Sequence, residues 1–212
     1  MQIDIIISLC ILIISVIIHE LAHGYAANAL GDPTARLAGR LTLNPLVHID
    51  PIGSIIMPVL LALAGSSIII GYAKPVPYNP YNLRGKYGEA LVAGAGPAAN
   101  IALAVLFGLA IRFIGTGLSD PMLNVFSSIV FMNILLAVFN LIPIPPLDGS
   151  KVLSGILPHG AAHSYNLFRA NFERLGIFSG TILILIIFSI LSPMFYGVIW
   201  ALFRLVTGIV TA

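Results

Sequence analysis

The chain has 212 residues, is 58% hydrophobic and only 8% charged, and has a mean hydropathy of +1.03. Soluble domains carry about 25% charged residues, so this composition excludes a soluble globular protein and points to one whose solvent is the lipid bilayer. A formal charge of +2 without a basic cluster gives no reason to expect nucleic acid as a partner, and the single cysteine, Cys10, excludes a disulfide framework and a thiolate-held zinc ion.

A helix needs about 20 apolar residues to cross the hydrocarbon. The stretches that qualify are 3–28, 52–72, 90–115, 122–143 and a C-terminal run from Gly176 to Ala212 broken by Pro193. The expected fold is therefore an all-α, polytopic helical bundle of about five to six membrane segments, with residues 1–212 as a single transmembrane domain. The N-terminus, Met1-Gln2-Ile3-Asp4, lacks the positive region of a signal peptide, so the first helix is expected to stay in the mature protein. Residues 35–44 are read as a possible short strand pair just after that helix.

The first helix holds His19-Glu20-Leu21-Ala22-His23. Positions four apart share a helix face, so both imidazoles can bind one metal ion, and Glu20 lies close enough to act as a base on water. Three ionisable residues within five positions of an apolar helix each cost on the order of 2 to 3 kcal/mol to insert without partners, which argues against a merely structural role. A catalytic zinc site commonly takes three protein ligands, and Asp148 is a candidate for the third. It follows Asn140-Leu141-Ile142-Pro143-Ile144-Pro145-Pro146-Leu147, whose prolines must break the helix and leave irregular backbone lining a cavity or buried in protein. Asp148 before Gly149 can also be an ordinary turn residue.

Together, His19-Glu20-x-x-His23 and Asn140-x-x-Pro143-x-Pro145-x-Leu147-Asp148-Gly149 resemble the site-2 protease family of intramembrane zinc metalloproteases. The similarity extends to Leu43-Asn44-Pro45, Lys74-Pro75-Val76-Pro77 and Gly96-Pro97-x-x-Asn100, and so covers roughly residues 15–151. It implies His19, His23 and Asp148 as ligands of one Zn2+ per chain, Glu20 as general base, and Asn140 as the group that holds the scissile carbonyl or its oxyanion. It also implies single-pass transmembrane proteins as substrates. Against the family pattern the sequence is expected to lack a membrane helix before the motif helix and a PDZ-like or nucleotide-sensing domain, and to carry an additional segment at 52–72. The alternative function is that of a non-proteolytic zinc-binding membrane protein, a transporter or a pseudo-protease adaptor; oligomeric state is open.

Topology decides whether the two motifs can meet. If 52–72 is re-entrant, Arg36, Arg40, Lys74, Arg84, Lys86, Lys151, Arg169 and Arg174 share one face and only Arg112 and Arg204 the other; a spanning segment divides them six against four. The positive-inside rule favours the re-entrant path, which places the site of this multi-pass cell-membrane protein towards the cytoplasmic side. The remaining polar and aromatic residues have simpler readings. Gly94, Gly96, Ala98 and Ala99 let helices approach, with Asn100 as an interhelical hydrogen bonder. His48 and Asp50 are read as loop and interface features, with a pair supporting the metal ligands or a substrate gate as the alternative, and His159 and His163 are surface residues kept out of one helix by Pro158 and Gly160. Phe195, Tyr196 and Trp200 form an aromatic interface belt.

Overall fold

The computed structural model describes residues 5–56, 63, 73–174 and 193–209, and every regular element among them is helical. The apolar first segment forms α1 (Ile5–Ala29), 25 residues and roughly 37 Å long at 1.5 Å per residue. A short α2 (Thr34–Leu37) follows, then α3 (Gly88–Ile114) and α4 (Asp120–Asn140). Beyond the proline-rich loop come α5 (Asp148–Ile156), α6 (His159–Glu173) and α7 (Pro193–Thr207). Among the described residues α1, α3 with its 3-10 extension to Gly117, and α4 are long and apolar enough to cross a membrane.

Hydrogen bonds fix the directions of these helices. His23 of α1 meets Val92 near the start of α3, whereas Ser15, two turns earlier on α1, meets Asn100, two turns later on α3. The two helices are thus antiparallel. A short turn at Gly115–Gly117 reverses the chain again, and α4 begins at Asp120-Pro121, a carboxylate and a proline in the first turn where both are favoured. Hence α1 and α4 run parallel, as the two motifs require, and Asp148 lies eight residues past the end of α4, beside the C-terminal half of α1.

The end of α1 is built from its sequence. Gly31 takes φ +106°, and the bonds Asp32 N–H to Ala27 O (2.9 Å) and Gly31 N–H to Asn28 O (3.2 Å) form a Schellman cap, which needs a residue free of a Cβ there. Asp32, fully buried, then accepts from Thr34 N–H, the Thr34 hydroxyl, Asn79 N–H and Asn82 Nδ2. Burial alone would raise its carboxyl pKa; these donors outweigh that and hold it below the ordinary value. Asp32 and the bond from Arg84 N–H to Leu30 O (2.8 Å) fasten the 79–84 loop to the end of α1.

The first connector differs from the expected strand pair. Residues 35–44 hold the end of α2 and a turn at Gly39, φ +65°, with no strand. The cause is Arg40, which is 6% exposed and turns inward to donate to Val47 O (2.6 Å), Lys74 O (2.6 Å) and Pro75 O (3.2 Å). Its guanidinium replaces a ladder of backbone bonds as the tie between these segments. Lys74 N–H donates to His48 O at 2.8 Å, so the chain returns at Lys74 to where it left at His48. Most of the expected re-entrant segment, residues 57–62 and 64–72, lies outside the described residues, as does 175–192 of the C-terminal run.

The apolar core lies away from the polar motifs, where Ala104 and Ile111 of α3, Val130 and Ile134 of α4, and Ile199 and Phe203 of α7 bury one another. Phe195 and Trp200 pack against this core, and Tyr196, the third of that trio, is exposed. Exposed Ile6, Leu9, Ile13 and Ile14 give α1 an apolar outer face suited to lipid. A single helix, α6, contains both His159 and His163: Pro158 is its N-cap and Gly160 falls in the first turn, where neither breaks a helix. Both histidines are exposed.

Candidate metal centre

His19, Glu20 and His23 lie just past the middle of α1, and His19 and His23 turn towards α3. Their spacing alone would leave the imidazoles facing a helix wall, but Gly96 opposes them. A Cβ at Gly96 would fall 2.6 Å from His19 Nε2 and Cε1 and still closer to His23 Nε2. Asp148 arrives from the other side as the first residue of α5, where the helix N-terminus favours a carboxylate. The turn that delivers it includes the cis Pro145–Pro146 peptide and closes on Gly149, whose missing side chain leaves room for the Leu141 and Ile142 carbonyls.

The three donor atoms form a nearly equilateral triangle. His19 Nε2 and His23 Nε2 are 3.0 Å apart, and each lies 3.2 Å from Asp148 Oδ2. Ligands about 2.0 to 2.1 Å from a tetrahedral zinc ion lie roughly 3.3 Å from one another, so the set fits that ion. The chemistry of the set agrees. His23 Nδ1 is 2.7 Å from Val92 O, which can only accept, so Nδ1 carries the hydrogen and a neutral ring turns its Nε2 lone pair inward. His19 Nδ1 lies 2.6 Å from Asn100 Oδ1, with the same consequence. Two imidazole Nε2 atoms and a carboxylate oxygen converging at this distance are a donor set that could hold a metal cation.

Glu20 is half-buried, one residue from His19, and accepts from Val76 N–H at 2.8 Å. Val76 stands between Pro75 and Pro77, neither of which has an N–H, so it is the only backbone donor of that three-residue run. Arg40 holds the carbonyls just before it.

The structure thus brings together His19, His23 and Asp148, the set expected from the sequence. Asn140 is the last residue of α4, and its Nδ2 donates to Leu136 O of its own helix at 3.0 Å. His48 is outside the cluster: it is buried and bonds through Nε2 to Thr42 O at 2.9 Å. Asp50 accepts from Gly53 N–H at 2.7 Å. Sequence reading overlooked Val76 and Arg40, although the lone donor between two prolines was a visible signal. It took Asn100 for helix packing only, although Val92, Gly96 and Asn100 repeat every four residues along one face of α3.

Comparison with known proteins agrees with this architecture. A profile of peptidase family M50 matches residues 117–187, which include α4, Asn140 and Asp148. YwhC of Bacillus subtilis, provisionally named a zinc metalloprotease, is 39% identical over 157 residues, covering 70% of this chain and 68% of that protein. Two proteins named Rip2 carry the same provisional description. That of Mycolicibacterium smegmatis is 36% identical over 69% of this chain and 54% of its own length, and that of Mycobacterium tuberculosis is 28% identical over 91% and 71%. No solved structure matches the chain. The chain is a membrane protein of peptidase family M50, the site-2 protease family.

Proposed function

We propose that this protein is an intramembrane zinc metalloprotease that hydrolyses peptide bonds within or near the transmembrane segments of single-pass membrane proteins. The observation that carries the reading is the convergence of His19, His23 and Asp148 on one point, with a carboxylate, Glu20, one residue away. His19 Nε2, His23 Nε2 and Asp148 Oδ2 would hold one zinc ion. Bound there, zinc supplies a coordinated water with a pKa near neutrality and a Lewis acid for the peptide carbonyl.

The residues do the rest. Glu20 takes the proton of the attacking water and delivers it to the leaving amide nitrogen, the dual use open to a single carboxylate. The Val76 N–H on Oε2 fixes the carboxylate's orientation and leaves Oε1 for that proton. Asn140, at the mouth of the loop that ends in Asp148, provides an amide for the scissile carbonyl as charge develops on its oxygen. Carbonyls of a substrate helix are bonded within that helix, so the substrate must unwind locally before it is attacked. Support for a site facing the cytoplasm comes from the charges. Arg36, Arg40, Lys74, Arg84, Lys86, Lys151, Arg169 and Arg174 belong to segments at the end of the bundle where α1 and α4 finish. Arg112 bonds Leu205 O at the other end, next to Arg204.

The test is cleavage of a transmembrane reporter by purified wild type and Glu20→Gln in parallel. Loss of general acid–base catalysis should cut the rate by about 10²- to 10⁴-fold with zinc content unchanged. Equal processing by both proteins would remove the hydrolase reading.

A further inference from the structure

Four polar side chains are buried together where α1, α3 and α4 cross: Ser15 at 3% exposure, His19 at 6%, and Asn100 and Asn133 at 0%. Their bonds form one chain. Asn133 Nδ2 donates to Ile129 O and to Ser15 Oγ, both at 2.9 Å. Asn133 Oδ1 accepts from Asn100 Nδ2 at 2.8 Å, and the same Nδ2 reaches Ser15 O at 3.4 Å. Asn100 Oδ1 faces His19 Nδ1 at 2.6 Å.

The direction of this chain is fixed from its far end. Ile129 O is a backbone carbonyl and can only accept, so the Asn133 amide must present Nδ2 to it and Oδ1 to Asn100. Asn100 must then present Nδ2 to Asn133 and to the Ser15 carbonyl, which leaves Oδ1 for His19. An acceptor against Nδ1 requires the hydrogen there and leaves the Nε2 lone pair pointing at Asp148 and His23. Reversing any member would set two acceptors or two donors face to face among buried side chains, where an unpaired polar group is costly.

We infer that Asn100 and Asn133 are positioning residues for the metal: through a relay that starts at the Ile129 carbonyl, they set the tautomer and ring orientation of His19 and so preorganise the site for zinc. His23 has its counterpart in the Val92 carbonyl, a backbone atom that no side-chain substitution removes. The inference rests on His19 being a zinc ligand. It differs in kind from polar gluing of helices, because the two roles rank substitutions oppositely. If Asn100 only packs helices, an apolar residue of similar size is tolerated and a carboxylate, burying an unneeded charge, is damaging. If it sets His19, a carboxylate is a better acceptor for Nδ1–H and an apolar residue is the damaging change.

The experiment measures zinc dissociation constants by chelator competition on detergent-purified protein, with circular dichroism and gel filtration to confirm folding. Asn100→Leu should weaken zinc binding about 10- to 100-fold, while Asn100→Asp should stay within about threefold of wild type or bind more tightly. Asn133→Leu leaves His19 untouched but removes the acceptor that orients Asn100, and should cost about three- to tenfold, below the usual range for a direct partner. A greater loss in Asn100→Asp than in Asn100→Leu overturns the proposal, as does unchanged affinity in folded Asn133→Leu. Wild type that takes up no zinc, or His19→Ala that binds as tightly as wild type, would instead remove the ligand assignment on which the relay depends.

Discussion

Gly96→Ala separates the metal centre from the fold, because it should damage the first and spare the second. The new methyl carbon would be 2.6 Å from His19 Nε2 and Cε1 and would also press on His23 Nε2, where ordinary contact begins near 3.4 Å. The His19 ring must therefore retreat by about 0.8 Å and the His23 ring by at least as much, several times the roughly 0.2 Å of tolerance in a zinc–nitrogen bond. Neither ring can retreat freely, since both are tethered through Nδ1, to Asn100 and to the Val92 carbonyl. Zinc affinity should fall by about 100-fold or more, equivalent to about 2.7 kcal/mol. Stability should change little: alanine gains about 1 kcal/mol over glycine in a helix interior, against about 1 to 3 kcal/mol for overpacking. Chelator competition reads the first quantity and thermal unfolding of the zinc-free protein the second. A Gly96→Ala protein that binds zinc within threefold of wild type would refute the placement of both imidazoles against α3.

Two further perturbations probe what surrounds the centre. Arg40→Met keeps the apolar stem but removes the three bonds that hold residues 47, 74 and 75, freeing the Val76 N–H to leave Glu20. Reporter cleavage should drop about tenfold or more, using the general acid–base contribution as the scale, with one zinc per chain retained; a parallel loss of zinc would contradict that division of labour. Asp32→Ala strips four donors of their acceptor at the end of α1 and should destabilise the protein by about 2 to 4 kcal/mol, judged by the cost of buried unsatisfied groups. Because the folded carboxyl has a lowered pKa, its contribution is present above its ordinary value of 3.8 and is lost as the pH falls through the folded one. The gap in unfolding stability between wild type and Asp32→Ala should accordingly be full at pH 7 and shrink below about pH 4.

What could be read from the sequence was local chemistry and its necessary partners. His19, Glu20 and His23 declare themselves because charge in an apolar helix is costly, and the prolines before Asp148 mark irregular backbone that must line something. The parallel run of α1 and α4 followed as a condition for the two to meet. What could not be read depends on contacts between distant segments with no period of their own. Arg40 looked like one more basic loop residue, and only its burial against Val47, Lys74 and Pro75 explains why residues 35–44 turn instead of pairing as strands. Pro158 and Gly160 break a helix when they stand in its interior, but at the N-terminus of α6 they are well placed. Asn100 looked like packing, because a hydrogen bonder between helices and a partner of a metal ligand share the same pattern of small and polar residues.

The most direct measurement is the zinc K-edge X-ray absorption spectrum of the purified protein, taken with metal stoichiometry for wild type and Asp148→Ala. One zinc per chain, bound by nitrogen and oxygen at about 2.0 to 2.2 Å with no sulfur, and loss of that metal in Asp148→Ala, is the expected result. A sulfur shell, or zinc retained unchanged when Asp148 is replaced, would contradict a centre built from His19, His23 and Asp148.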